Sequence, residues 1–109
     1  MTRRIVLLTN DINFENFVKI TALTLTKLNY QVDIFKETRK DIDLVILDFD
    51  DPENIEVLKS IRKNPDLQNK KIIGVATDLA DKKMFFETGC DSVMTKKDFE
   101  PAANSILMY

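Results

Sequence analysis

Four places in this sequence put polar groups able to handle a phosphoryl group directly after an apolar run. Thr9-Asn10-Asp11 follows Ile5-Val6-Leu7-Leu8, and Asp48-Phe49-Asp50-Asp51-Pro52 follows Leu44-Val45-Ile46-Leu47. Thr77-Asp78 follows Ile72-Ile73-Gly74-Val75-Ala76, and Lys96-Lys97 follows Ser92-Val93-Met94-Thr95. Carboxylates beside a lysine and a hydroxyl are the set that phosphoryl transfer to an aspartate needs: a nucleophile, oxygen ligands for Mg²⁺, and donors for the phosphoryl oxygens. Asp48 is the candidate nucleophile, because it ends an apolar strand and two more acids follow it. Asp11, Asp51 and Asp78 read equally well as helix caps and turn formers.

These groups share one rim only if the apolar runs are strands of one parallel sheet, since ligands gather outside the carboxyl ends of such strands. The composition of the runs supports this. They are rich in β-branched residues and, apart from a further run at Val32-Asp33-Ile34-Phe35, the three strongest are continuous rather than alternating. Continuous runs indicate strands covered on both faces by helices. Phe14, Phe17, Val18, Thr21, Leu25 and Leu28 fall at helical spacing, which predicts a helix capped at Asn13 and stopped at Asn29. Asp51-Pro52-Glu53 opens a second helix through Ile55, Leu58 and Ile61, ending near Pro65. Asp78 or Asp81 opens a third, closed by Gly89, and Asp98 or Phe99 opens the last, through Ala102, Ile106 and Leu107. About eight residues, Lys36 to Asp43, join the second strand to the third. A parallel crossover with a helix needs about a dozen, so the helix expected there is short or missing.

Composition narrows the functions. At 109 residues the chain has room for one domain, 1–109, with 44% apolar and 31% charged residues as in ordinary globular proteins. A net charge of −2 leaves no basic face for direct nucleic-acid binding. There is no histidine, which removes histidine general bases and histidine metal sites. The lone Cys90 makes no internal disulfide and reads as a small core residue. The apolar residues after Arg4 are too few for a signal peptide or membrane span, so a cytoplasmic location and no membrane partner are expected.

The run Asp43-Leu44-Val45-Ile46-Leu47-Asp48-Phe49-Asp50-Asp51-Pro52 resembles the third strand and phosphoacceptor loop of response-regulator receiver domains, typically DLVLLD followed by an apolar residue and Pro. Val75-Ala76-Thr77 is similar to the family's switch Thr/Ser, and Gly89-Cys90-Asp91-Ser92-Val93-Met94-Thr95-Lys96 to its GAxxYLxK segment. The resemblance extends over the whole chain. It implies a doubly wound, five-stranded parallel α/β sheet in the order 2-1-3-4-5, an order the general description of such folds already gives for a receiver. It further implies Asp48 as phosphoacceptor, Lys96 and Thr77 as phosphoryl contacts, and Asp11, Asp48 and the Asp50 carbonyl as metal ligands. Such a chain is a switch, not a turnover enzyme.

The sequence also departs from that family. Where receivers end the first strand with an acidic pair, this chain has Thr9-Asn10-Asp11. If Asn10 and Asp11 fill the pair, one carboxylate remains; if Thr9 and Asn10 do, none does. Val93 replaces the usual aromatic of the fifth strand, Lys97 replaces the Pro after the lysine, and the loop after Pro52 lacks its Gly. Lys97 reads as part of a solvated turn. Asp50 and Asp78 add negative charge, which repels a phosphodonor. The leading expectation is a receiver-like two-component signalling domain that works through protein contacts or homodimerisation, with phosphorylation at Asp48 weakened or lost. Its signalling face would be Met84, Phe86, Val93, Phe99 and Met108. The alternatives are a competent receiver phosphorylated by a histidine kinase with Mg²⁺, and a small nucleotide-binding or enzymatic domain, which the absence of glycine in Thr9-Asn10-Asp11-Ile12-Asn13 disfavours.

Overall fold

The computed structural model describes residues 5–22, 25–27 and 42–108. Their elements run β1 (Ile5–Leu8), α1 (Ile12–Thr21), β2 (Leu25–Lys27), β3 (Leu44–Asp48), α2 (Glu53–Lys63), β4 (Lys71–Ala76), α3 (Lys82–Thr88), β5 (Ser92–Thr95) and α4 (Lys96–Met108). All strand pairs are parallel and the sheet order is β2-β1-β3-β4-β5. Among the described residues no helix is long and apolar enough to cross a membrane.

The continuous apolar runs are buried on both faces, and their period of two sorts them into two layers. Val6, Leu8, Val45, Leu47 and Ile72 face Val57, Leu58 and Ile61 of α2 and Phe85 of α3. Ile5, Leu7, Leu44, Ile46 and Ile73 face Phe14 and Val18 of α1 and Phe99, Ala103 and Leu107 of α4. The doubly wound α/β architecture expected from those runs is the one found.

Several boundaries differ from the sequence reading. Asp11, not Asn13, caps α1: its Oδ1 accepts from the backbone N–H of Asn13 at 3.0 Å and of Phe14 at 3.1 Å. The helix stops at Thr21, and Leu25 lies on β2 opposite Ile5. Leu25 is flanked in sequence by Thr24 and Thr26, and β-branched residues at alternate positions favour a strand over another helical turn. The strand expected at Val32–Phe35, the helix stop at Asn29 and the short connection from Lys36 lie outside the described residues, apart from its end at Ile42 and Asp43. α4 begins at Lys96 rather than at Asp98 or Phe99, so Lys97, exposed as expected, belongs to its first turn. Thr95 accepts from the Asp98 N–H at 3.0 Å through its hydroxyl and closes that turn. Pro52, not Asp51, takes the capping position of α2, which starts at Glu53, but the Asp51 carboxylate still accepts from the Glu53 N–H at 3.1 Å. Gly89 ends α3 at φ 136°, a conformation L side chains rarely adopt.

Phe49, directly after β3, turns back onto the sheet. Its ring stacks on Phe85 at a centroid distance of 4.4 Å, and its backbone N–H donates to the Val75 carbonyl at 2.8 Å. The ring lies where a side chain at Gly74 would project: a Cβ there would overlap Phe49 Cε2 and come within 3.1 Å of Cys90 Sγ. Gly74→Ala is therefore expected to destabilise the fold by about 1–3 kcal/mol through overpacking. Urea unfolding of Gly74→Ala beside the double variant Gly74→Ala/Phe49→Leu checks this, because the smaller leucine should recover part of the loss.

Candidate functional site

Parallel register brings the strand ends to one edge of the sheet. Leu8 pairs with Leu47, Asp48 with Val75, and Ala76 with Thr95. The residue after each strand therefore reaches a common cleft of about 420 Å³, lined by Asn10, Asp11, Asp48, Asp50, Asp51, Pro52, Thr77 and Lys96. Of the polar residues singled out from their positions after apolar runs, Asn10, Asp11, Asp48, Asp50, Asp51, Thr77 and Lys96 meet here, while Thr9 lies beneath Asp48 and Lys97 and Asp78 do not line the cleft. Asp78 forms a local turn, its Oδ1 accepting from the Ala80 N–H at 2.9 Å.

Lys96 stands at the centre. Its Nζ lies 2.9 Å from Asp48 Oδ2, 3.0 Å from Asp11 Oδ2 and 2.8 Å from Asp50 Oδ2, with only 15% of its side chain exposed. The same ammonium sits 5.7 Å from the centroid of Phe14. Burial disfavours its charge, but hydrogen bonds to Asp50, Asp48 and Asp11 outweigh burial and hold its pKa above the usual lysine value. The Asp11 carboxyl is held below the ordinary range, chiefly by the Phe14 N–H and then by Lys96. Asp50 is pushed up by burial, but hydrogen bonds from Lys96 and Thr77 prevail and leave it low.

Asp48 is buried and fully engaged. Its Oδ2 accepts from the Thr9 hydroxyl at 2.6 Å and its Oδ1 from the Asp50 N–H at 3.0 Å. Thr9 thus contacts Asp48 directly after β1, while Asp11 both caps α1 and lines the cleft. Asn10 turns to Asp51, its Nδ2 donating to Oδ2 at 3.1 Å. Thr77 donates twice to Asp50, from its N–H to Oδ1 at 3.0 Å and from its hydroxyl to Oδ2 at 2.7 Å.

Asp11, Asp48, Asp50 and Asp51 are four carboxylates against the one ammonium of Lys96, a local charge of −3. Such oxygens are the right donor type for Mg²⁺. Each oxygen of Asp11, Asp48 and Asp50 already accepts a protein donor and Lys96 Nζ bridges the three carboxylates, so a cation held between them would have to displace that ammonium. Among the described residues no three acids, cysteines or histidines are grouped to hold a metal ion.

The sequence did not single out Asn54. This residue is buried, and its Nδ2 donates to the carbonyls of Leu8 at 3.3 Å and Asp48 at 2.8 Å, tying the ends of β1 and β3 together. A signal was present: Asn54 shares the inward stripe of α2 with Leu58 and Ile61, and an amide there must find partners.

The expected apolar signalling face is smaller than predicted. Met84 and Phe86 are 40% and 42% exposed, but Val93 and Phe99 are core residues. Val93 belongs to the layer under Phe85, and Phe99 meets the rings of Phe14 and Phe17 edge-on at 5.3 and 6.4 Å. The side chain of Met108 lies outside the described residues. Cys90 is buried as expected, and its thiol is pushed up to about 12 by burial, so it stays protonated at neutral pH.

No family model matches the sequence, and no curated protein matches it. Solved structures match the fold over nearly the whole chain. A response regulator from Hahella chejuensis is 19% identical with a TM-score of 0.84, the match covering 99% of this chain and 94% of that one. The receiver domain of the sensor histidine kinase PA1611 from Pseudomonas aeruginosa PAO1, which has a magnesium ion coordinated in its active-site cleft, is 14% identical with a TM-score of 0.82, covering 99% and 96%. The Mn²⁺-bound response regulator Rcp1 is 21% identical with a TM-score of 0.79, covering 98% and 93%. The chain has the fold of a CheY-like receiver domain, shared with these structures at low sequence identity.

The charge network sets a pH dependence. Asp11 and Asp50 are lowered, so their contribution is complete above the ordinary carboxylate pKa of about 4 and is lost as pH falls below it. Lys96 is raised, so its contribution is complete below the ordinary lysine value of about 10.4 and is lost as pH rises beyond it. As far as these three groups contribute, stability should be flat between roughly pH 5 and 9. Lys96→Met should lose about 3 kcal/mol at pH 7, the order of cost for stranding a buried charge. Urea unfolding from pH 7 to 5 should then show this variant gaining stability as protonation relieves the crowded carboxylates, while the parent does not.

Proposed function

We propose that this chain is a receiver-like signalling module of a two-component system that acts through protein contacts, with phosphorylation at Asp48 weakened or lost. The observation that carries this reading is the binding of one ammonium, Lys96, to Asp11, Asp48 and Asp50 together. A carboxylate that attacks phosphorus must present a free lone pair in line with the bond that breaks. On Asp48, Oδ2 already accepts two donors, Thr9 and Lys96, so attack through that oxygen requires one of them to leave, while Oδ1 is oriented by the Asp50 N–H. Thr9, the residue beside Asp48, is neutral, and the Asp11 carboxylate that follows is already engaged by Lys96 and by the α1 backbone. The four acids give the cleft a local charge of −3, which opposes the approach of an anionic phosphodonor. Met84 and Phe86 on α3 supply an exposed apolar surface for a protein partner or a second copy of the chain.

A second reading, a competent receiver that takes a phosphoryl group on Asp48 from a histidine kinase, is favoured by that same excess of oxygen ligands. Two of the matched structures hold Mn²⁺ or Mg²⁺. In this reading Asp48 forms the acyl phosphate as the donor's bond to phosphorus breaks, and Lys96 must first leave its three carboxylates.

Titration with Mg²⁺ and beryllofluoride, followed through the amide signals of Asp48, Thr77 and Lys96, separates the two. The proposal expects no saturable shift in the parent and none in Asp48→Asn. Saturable shifts in the parent that vanish in Asp48→Asn would establish a working phosphoacceptor and overturn it.

A further inference from the structure

The Asp50 carboxylate is bound in an unusual way for an exposed side chain on a loop. It accepts three donors from two other elements: the Thr77 N–H on Oδ1, and the Thr77 hydroxyl and Lys96 ammonium on Oδ2. A backbone N–H, a hydroxyl and an ammonium converging on paired anionic oxygens form a receptor for an oxyanion. Here the oxyanion is tethered, two residues after the candidate nucleophile, and its own N–H donates to Asp48 Oδ1 at 3.0 Å. Asp50 thus bridges three strand ends: β3 through its backbone, the end of β4 through Thr77, and the start of α4 through Lys96.

We propose that Asp50 is a built-in occupant of this oxyanion receptor, an intramolecular contact that holds the loop from Thr77 to Asp81 in one position whether or not Asp48 is modified. The inference rests on the reading of the cleft as a receiver site and deepens it, because it names what fills the place a phosphoryl group would take. A tethered carboxylate competes at high effective concentration with any free anion. It also couples α3 to the cleft permanently: Thr77 follows β4, and the chain reaches Lys82 and the exposed Met84 and Phe86 within the next few residues. The partner surface of α3 is then presented in a single state.

The test is amide hydrogen exchange at Thr77 in the whole chain, comparing the parent with Asp50→Ala, Asp50→Asn and Asp48→Asn. Asp50 is 39% exposed in its side chain, so its replacement leaves the core untouched. Loss of charge-assisted hydrogen bonds to Thr77 should speed its exchange about ten- to hundredfold in Asp50→Ala, and by a smaller factor in Asp50→Asn, which keeps one acceptor. Asp48→Asn retains Asp50 and should leave Thr77 protected. Equal exchange at Thr77 in the parent and in Asp50→Ala would overturn the inference, as would loss of protection in Asp48→Asn equal to that in Asp50→Ala. These outcomes do not depend on whether Asp48 accepts a phosphoryl group, which the beryllofluoride titration decides on its own.

Discussion

The cleft depends on one ammonium. Without Lys96, four carboxylates would face each other at the ends of parallel strands, one of them almost wholly removed from water. With it, three of the four share a single cation at distances of 2.8 to 3.0 Å. The cation arrives there because β5 is the edge strand beside β4 and α4 starts immediately at its end, with no intervening loop. Phe14, which meets the Phe99 ring in the layer shared by α1 and α4, lies 5.7 Å from that ammonium and fixes the apolar side of the cluster. Electrostatics and packing are therefore one arrangement, and neither would hold its geometry alone.

Much of this was legible in the sequence. Asp48 and Thr77 could be found because each directly follows a continuous apolar run, the pattern of a strand buried on both faces, and Lys96 because it follows the weaker strand Ser92–Thr95. The convergence of those residues then follows from parallel pairing. What could not be read is which way a side chain faces when both sides of an element are apolar. Val93 and Phe99 have the composition of an exposed patch and the orientation of core residues. Leu25 misled for a related reason: it stands seven residues after Val18, a helical interval, but also alternates with threonines as a strand does. The backbone chose the second period.

Asn54 and Thr9 show the other limit. Both are small polar residues whose roles come entirely from their partners, the carbonyls of Leu8 and Asp48 for one and the Asp48 carboxylate for the other. Each fixes the position of Asp48 without any charge of its own. A sequence pattern weighted toward charged and apolar residues passes over such groups, although a buried carboxylate needs neutral donors as well as a cation.

The Phe49 ring seated against Gly74 carries a consequence for how this chain can change over generations. The ring and the missing side chain are a single volume shared between two codons, and neither residue can grow unless the other shrinks. Phe49 also stands between Asp48 and Asp50 in the chain, so an alteration at Gly74, on a different strand and outside the cleft, reaches both acids through the backbone. Variation at a position with no side chain is in this way constrained by the charge network it never touches.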